Sequence, residues 1–190
     1  AALADLEEAA RLDPTNVFTL VIHADALGFA GRPEEGLARA RQAYALDPES
    51  GVSIMCMAQS LERLERWTEA IPYIENACHR DADRTTMAQG AIILYHAGRR
   101  AEAEVMRAKA EAAAESDWGD FQLARFHALA GHPARAIQLL REAAKRGLAD
   151  PEVLVFHEFD PLRRDPAFQA VVADMSRRWA SPLPLAPPAD

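Results

Sequence analysis

The chain has 190 residues, 49% of them hydrophobic, which suits one domain or a short repeat array with a real core. Alanine supplies 40 residues and aromatics only 7%, a composition that favours closely packed helices over sheets. A formal charge of −8 argues against nucleic acid, whose phosphates need a basic patch, and no apolar run approaches the roughly 18–20 residues of a membrane span.

Residues 2–12 place Leu3, Leu6, Ala9 and Ala10 on one helical face and stop at Asp13-Pro14. A lone helix with one apolar stripe needs a predecessor to pack on. Residues 1–16 therefore read as the second helix of a truncated repeat, with Leu3 and Leu6 expected to stand uncovered. The next helix is expected over 17–30 and ends at Gly31, a good C-terminal breaker. Another follows over 33–46, opened by Pro33 and Glu34-Glu35 and closed by Asp47-Pro48. Three more pairs are expected at 52–64 with 68–80, 85–97 with 101–115, and 119–130 with 133–146, the last closed by Gly147. Pro72 predicts a mild distortion near the start of its helix.

Beyond this array, Asp150-Pro151, Asp160-Pro161 and Asp165-Pro166 each join a capping acid to a first-turn proline. They predict a short helix over 151–157, a turn at 161–164 and a final helix over 166–179. The apolar face of that last helix is Phe168, Val171, Val172, Met175 and Trp179. Residues 150–180 thus form an atypical capping element of the kind that terminal repeats need. Residues 181–190, with four prolines, predict a loose tail.

A repeat of 33–34 residues runs through residues 17–149. Leu12-Asp13-Pro14 recurs as Leu46-Asp47-Pro48, and small residues recur in three registers. These are Ala24, Ala58, Ala91, Ala124; Gly36, Ala70, Ala103, Ala136; and Ala43, Ala77, Ala110, Ala143. A fourth register, Gly31, Glu65, Gly98, Gly131, marks the turns at the same steps. Methyl-sized side chains let paired helices approach to roughly 8 Å rather than 10 Å. Each pair alone leaves an apolar face wet, so stability comes from stacking. The fold class expected is all-α: a right-handed superhelical solenoid of antiparallel helix pairs with an atypical C-terminal capping helix.

The passage Gly31-Arg32-Pro33-Glu34-Glu35-Gly36 through Leu46-Asp47-Pro48 resembles the tetratricopeptide repeat (TPR). Leu61 to Ala70, with Trp67-Thr68-Glu69-Ala70, is similar. Departures are Leu20 and Ile54 where the family often has Trp, Asp120 at the same place in the fourth repeat, and degenerate closing prolines near Ala82 and Leu148. The resemblance covers about residues 1–150, and Leu162 to Phe168 is similar to the closing segment of TPR arrays at the end of larger bacterial signalling or regulatory proteins. It implies a protein-interaction scaffold.

Nothing in the sequence reads as catalysis. Glu34-Glu35 and Glu7-Glu8 fall on helix starts or exposed faces, and there is no Gly-rich phosphate loop or Gly-x-Ser-x-Gly elbow. Cys78-His79 has no second pair at zinc-site spacing, so no metal or cofactor is expected. Met57 of Met55-Cys56-Met57 lies on the core register, which favours packing over soft-metal binding. His96, His127 and His132 come from neighbouring repeats and are the histidines that could approach one another. With no export leader and only Cys56 and Cys78, a reducing, cytoplasmic compartment is expected.

The family resemblance implies that the first helix of each pair lines a concave, ligand-facing surface. The corresponding positions are Phe18, Val21, Asp25 and Phe29; Met55, Gln59 and Arg63, with Val52 beside them; Tyr95 and His96; and Trp118, Phe121 and Arg125. Aromatic side chains there are of the kind that anchors interfaces. For each of these residues, packing between repeats or against the C-terminal helix is the competing reading, of equal weight. The fifth positions are Val21, Met55, Ala88 and Phe121 rather than the Lys and Asn of a carboxylate clamp, which points to a peptide or helix with apolar anchors. The expected partner is therefore a protein or peptide. The competing functions are self-association through the first half-repeat, as a homodimer, and a regulatory tail on an upstream enzyme.

Overall fold

A computed structural model describes residues 2–148 and 156–180. Among them every regular element is helical, and the chain divides into two units, Ala1–Ala113 and Ala114–Asp190. The first unit holds α1 (Ala2–Leu12), α2 (Val17–Phe29), α3 (Pro33–Leu46), α4 (Gly51–Arg63), α5 (Trp67–Arg80), α6 (Arg84–His96) and α7 (Arg100–Ala112). The second holds α8 (Asp117–Leu129), α9 (Pro133–Arg146), a 3-10 helix (His157–Leu162) and α10 (Pro166–Ala180). The expected helix at 151–157 lies outside the described residues except for its last two, and the tail at 181–190 lies wholly outside them.

The starts of the helices follow from local chemistry. Asn16, Asp83 and Ser116 accept the N–H of Thr19, Thr86 and Gly119, so α2, α6 and α8 begin on side-chain caps. Pro33 and Pro133 occupy first-turn positions, where the missing N–H costs nothing. Helix α5 runs unbroken through the exposed Pro72. Helix α7 ends three residues earlier than its pattern predicts, and the Arg84 guanidinium caps its end by bonding the carbonyls of Ala110, Glu111 and Ala113 at 3.2–3.3 Å. Arg178 does the same at the end of α9, bonding the Ala144 carbonyl at 2.6 Å.

The small-residue registers sit at the helix crossings. Ala24, Ala58, Ala91, Ala124, Ala70, Ala103, Ala136, Ala43, Ala110 and Ala143 are at most 1% exposed. At Gly36 a methyl group would lie 2.8 Å from the Ala24 carbonyl oxygen, so α2 and α3 approach backbone to backbone there. The core of the first unit gathers Leu20, Leu37, Ile54, Leu61, Ile74 and Ile93 around these contacts. In α10, Phe168, Val171 and Met175 are buried as expected and Val172 is half-buried; the Trp179 side chain lies outside the described residues. Leu3 and Leu6, expected to be uncovered, are half-buried in the contact of α1 with α2; among the leucines of α1, Leu12 is the exposed one.

The turn register explains one anomaly. Gly31, Gly98 and Gly131 adopt φ of +75°, +82° and +79°, whereas Glu65 holds the equivalent turn at +56° with a side chain that resists it. Glu65→Gly is expected to stabilise the first unit by about 0.5–1 kcal/mol, the relief of strain less the added entropy of the unfolded chain. Urea unfolding of the two proteins measures it, and a loss of stability would refute the strain argument.

Candidate functional site

Four of the residues assigned to the ligand face share one pocket of the first unit. Val21 and Asp25 of α2 and Met55 and Gln59 of α4 line an open cavity of about 450 Å³, together with Val52. Arg80 and Asp81 at the end of α5 and Thr86 of α6 complete its wall. One turn before Val21, Phe18 is 67% exposed, and Ile22 and Phe29 continue the apolar stripe of α2 at 39% and 45%. Such a stripe on a helix that has already buried its core side is where a partner's apolar groups would gain most.

Two of the charges bordering this pocket, Asp25 and Arg80, are paired internally. Arg63 donates to Asp25 at 3.0 Å and lies 4.8 Å over the Phe29 ring. Gly28 makes the crossing possible, since a methyl there would stand 2.6 Å from Arg63 Cδ. Arg80 bonds both the carboxylate and the backbone carbonyl of Glu49. Gln59 donates to Gln89 at 3.5 Å, and Gln89 donates to the buried Glu62, so a polar row joins α4 to α6. His96 lies flat on Trp67, ring centroids 4.0 Å apart at 10°, and the half-buried Tyr95 carries the Arg100 guanidinium over its ring at 5.1 Å. Both are engaged in packing.

Three shielded groups matter for pH. Burial pushes the Cys56 thiol up to about 12 and the Cys78 thiol up to about 11, so neither is a nucleophile at neutral pH. His23 is 1% exposed, and among the described residues neither ring nitrogen has a hydrogen-bond partner. Burial first, then the Arg39 charge, lowers its pKa, against the opposing pull of Glu7 and Glu35. Folded His23 therefore stays neutral while the unfolded chain takes up a proton near the ordinary value of about 6.5. The unfolded state then binds more protons, so stability is full above that pH and falls as the solution is acidified through it. His23→Leu is expected to flatten the stability profile between about pH 5 and 7; an unchanged acid slope in denaturation curves would refute the assignment.

In the second unit two residues of the expected ligand face are packed within the chain, the competing reading. Phe121 is fully buried, with its ring against Trp118 (5.6 Å), Phe156 (5.6 Å) and Phe159 (6.0 Å). Arg125 is 3% exposed, bonded to Gln122 at 2.8 Å and to the buried Glu158 at 2.7 Å, and it stacks 4.0 Å over Phe156. The chain's own segment from Phe156 to Leu162 occupies this part of α8, so neither residue lines an open surface. Trp118 remains 44% exposed. Asp120, a departure from the repeat, is buried and paired with Arg146 of α9, which also reaches Glu115. Glu158 was missed by the sequence reading, although it falls one 33-residue step beyond Arg125 and a continued register would have pointed to it.

No family model matches the sequence, and no curated protein matches it. Solved structures do. A thermophilic TPR protein of Thermus thermophilus aligns over 85% of this chain and 89% of its own at 18% identity, with a TM-score of 0.66. The fold is that of the tetratricopeptide repeat. A TPR protein of Parabacteroides merdae covers 92% of this chain and 63% of its own at 10% identity, TM-score 0.65. YrrB, described as a TPR protein with an unusual peptide-binding site, covers 91% of each chain at 13% identity, TM-score 0.53. The TPR fold accounts for the helix pairs and the repeat, and no described helix is long and apolar enough to cross a membrane.

Proposed function

We propose that this chain is a non-catalytic protein-interaction module that receives an apolar segment of a partner protein on the face formed by α2 and α4. The observation that carries the reading is the open pocket shared by Val21, Asp25, Met55 and Gln59, beside the exposed Phe18 and Val52. Two of its charges are paired within the chain, Asp25 by Arg63 and Arg80 by Glu49, and the carboxylate of Asp81 repels an anion, so a ligand gains chiefly by covering apolar surface. That chemistry suits a helix or extended segment with hydrophobic anchors and disfavours capture of a terminal carboxylate. The peptide-binding site of YrrB belongs to that protein; a peptide ligand here is part of this proposal. Self-association has less support, because Leu3 and Leu6 are half-buried.

Peptides selected from a displayed library against the full chain provide the test. Phe18→Glu and Val52→Glu change exposed side chains and leave the fold intact, so each should weaken the selected peptides by about tenfold or more, the equivalent of 1.4 kcal/mol. Peptides that bind both variants as tightly as the parent would refute this site.

A further inference from the structure

The same turn closes all four helix pairs. The N–H of Arg32 donates to the Leu27 carbonyl, that of Arg66 to Leu61 and that of Arg99 to Leu94, each at 2.9 Å, and that of His132 to His127 at 2.8 Å. This closure sets a side chain of the last helical turn beside one just past the turn. In three repeats the two positions hold Leu and Arg. In the fourth both change together, and both become histidine.

Their rings meet. His127 Nδ1 and His132 Nδ1 stand 3.3 Å apart, with ring planes at 49°. Two nitrogens each 2.0–2.1 Å from a tetrahedral zinc ion stand about 3.3–3.4 Å apart, so the spacing is that of one coordination edge. His127 is buried and held against the edge-on ring of Phe126, 5.9 Å away, which fixes one donor. His132 is exposed, which leaves further positions open to water. Imidazole is a good ligand for zinc, nickel and copper.

We propose that His127 and His132 bind a divalent transition-metal ion of the zinc class through their Nδ1 atoms, clamping the turn between α8 and α9. The contact between the rings otherwise needs one Nδ1 proton, which the ion displaces into solvent, so binding weakens as the solution is acidified.

The test is calorimetric titration of the full chain with zinc chloride. The comparisons are His132→Arg and His127→Leu, which restore the residues of the other three repeats and so keep the turn, and His79→Ala, which removes an exposed histidine elsewhere. The expected result is one ion per chain, bound about tenfold or more weaker by each of the first two variants and unchanged in the third. Zinc should also raise the Tm of the parent and not that of His132→Arg. Absence of zinc binding by the parent would overturn the proposal and leave a plain hydrogen bond between the rings. Equal binding by parent and both turn variants would overturn it too, since the ion would then sit on other histidines.

Discussion

Glu158→Ala is expected to lower the stability of the second unit by about 3–5 kcal/mol, the cost of leaving a buried charge without its partner. Both side chains of the Arg125–Glu158 pair are at most 3% exposed, and the pair joins α8 to the segment that covers it. Removing the carboxylate leaves the guanidinium beside Phe156 and Gln122 without the opposite charge that offsets its burial. Replacing both partners, Arg125→Met with Glu158→Leu, removes the desolvated charges altogether and should return to within about 1–2 kcal/mol of the parent. Denaturant unfolding of the three proteins reads both values. A single variant as stable as the parent would mean that the pair is wet and that the segment at 156–162 does not seal α8.

The fold was legible because its information is local and repeated. Asn16, Asp83 and Ser116 cap, Gly31, Gly98 and Gly131 turn, and the small residues at each crossing recur in phase with them. One boundary was misplaced: α7 ends before its pattern does, its last carbonyls capped by Arg84 of α6, and the nearby local signal is the Ser116 cap that opens α8. The ligand face was legible only in part. A register states which side of a helix a residue occupies; it does not state what other chain lies on that side. Val21, Asp25, Met55 and Gln59 meet in one pocket because their neighbours in sequence place them there. Phe121 and Arg125 occupy equivalent positions on α8 and are covered by residues more than 30 positions downstream. Asp120 is a related case: a polar residue at a core position looked like decay of the repeat, and its reason is Arg146 on the facing helix.

Phe18 and Phe121 turn this distinction into the second large effect. Both are aromatic residues at positions of the first helix of a pair, and both fit a ligand face when only the repeat is considered. Phe121→Ala should cost about 3–5 kcal/mol, because the ring is fully buried among Trp118, Phe156 and Phe159 and its loss opens a cavity that three surrounding rings cannot fill. Phe18→Ala should change stability by no more than about 0.5 kcal/mol, since two thirds of the ring is in water, where truncation removes little packing. Thermal and urea unfolding measure both. The same pair of variants should behave oppositely toward a selected peptide, with Phe18→Ala losing affinity while folded and Phe121→Ala binding normally below its unfolding temperature. A cheap Phe121→Ala that lost the peptide would show that the segment at 156–162 leaves α8 in solution and that the ligand face extends into the second unit.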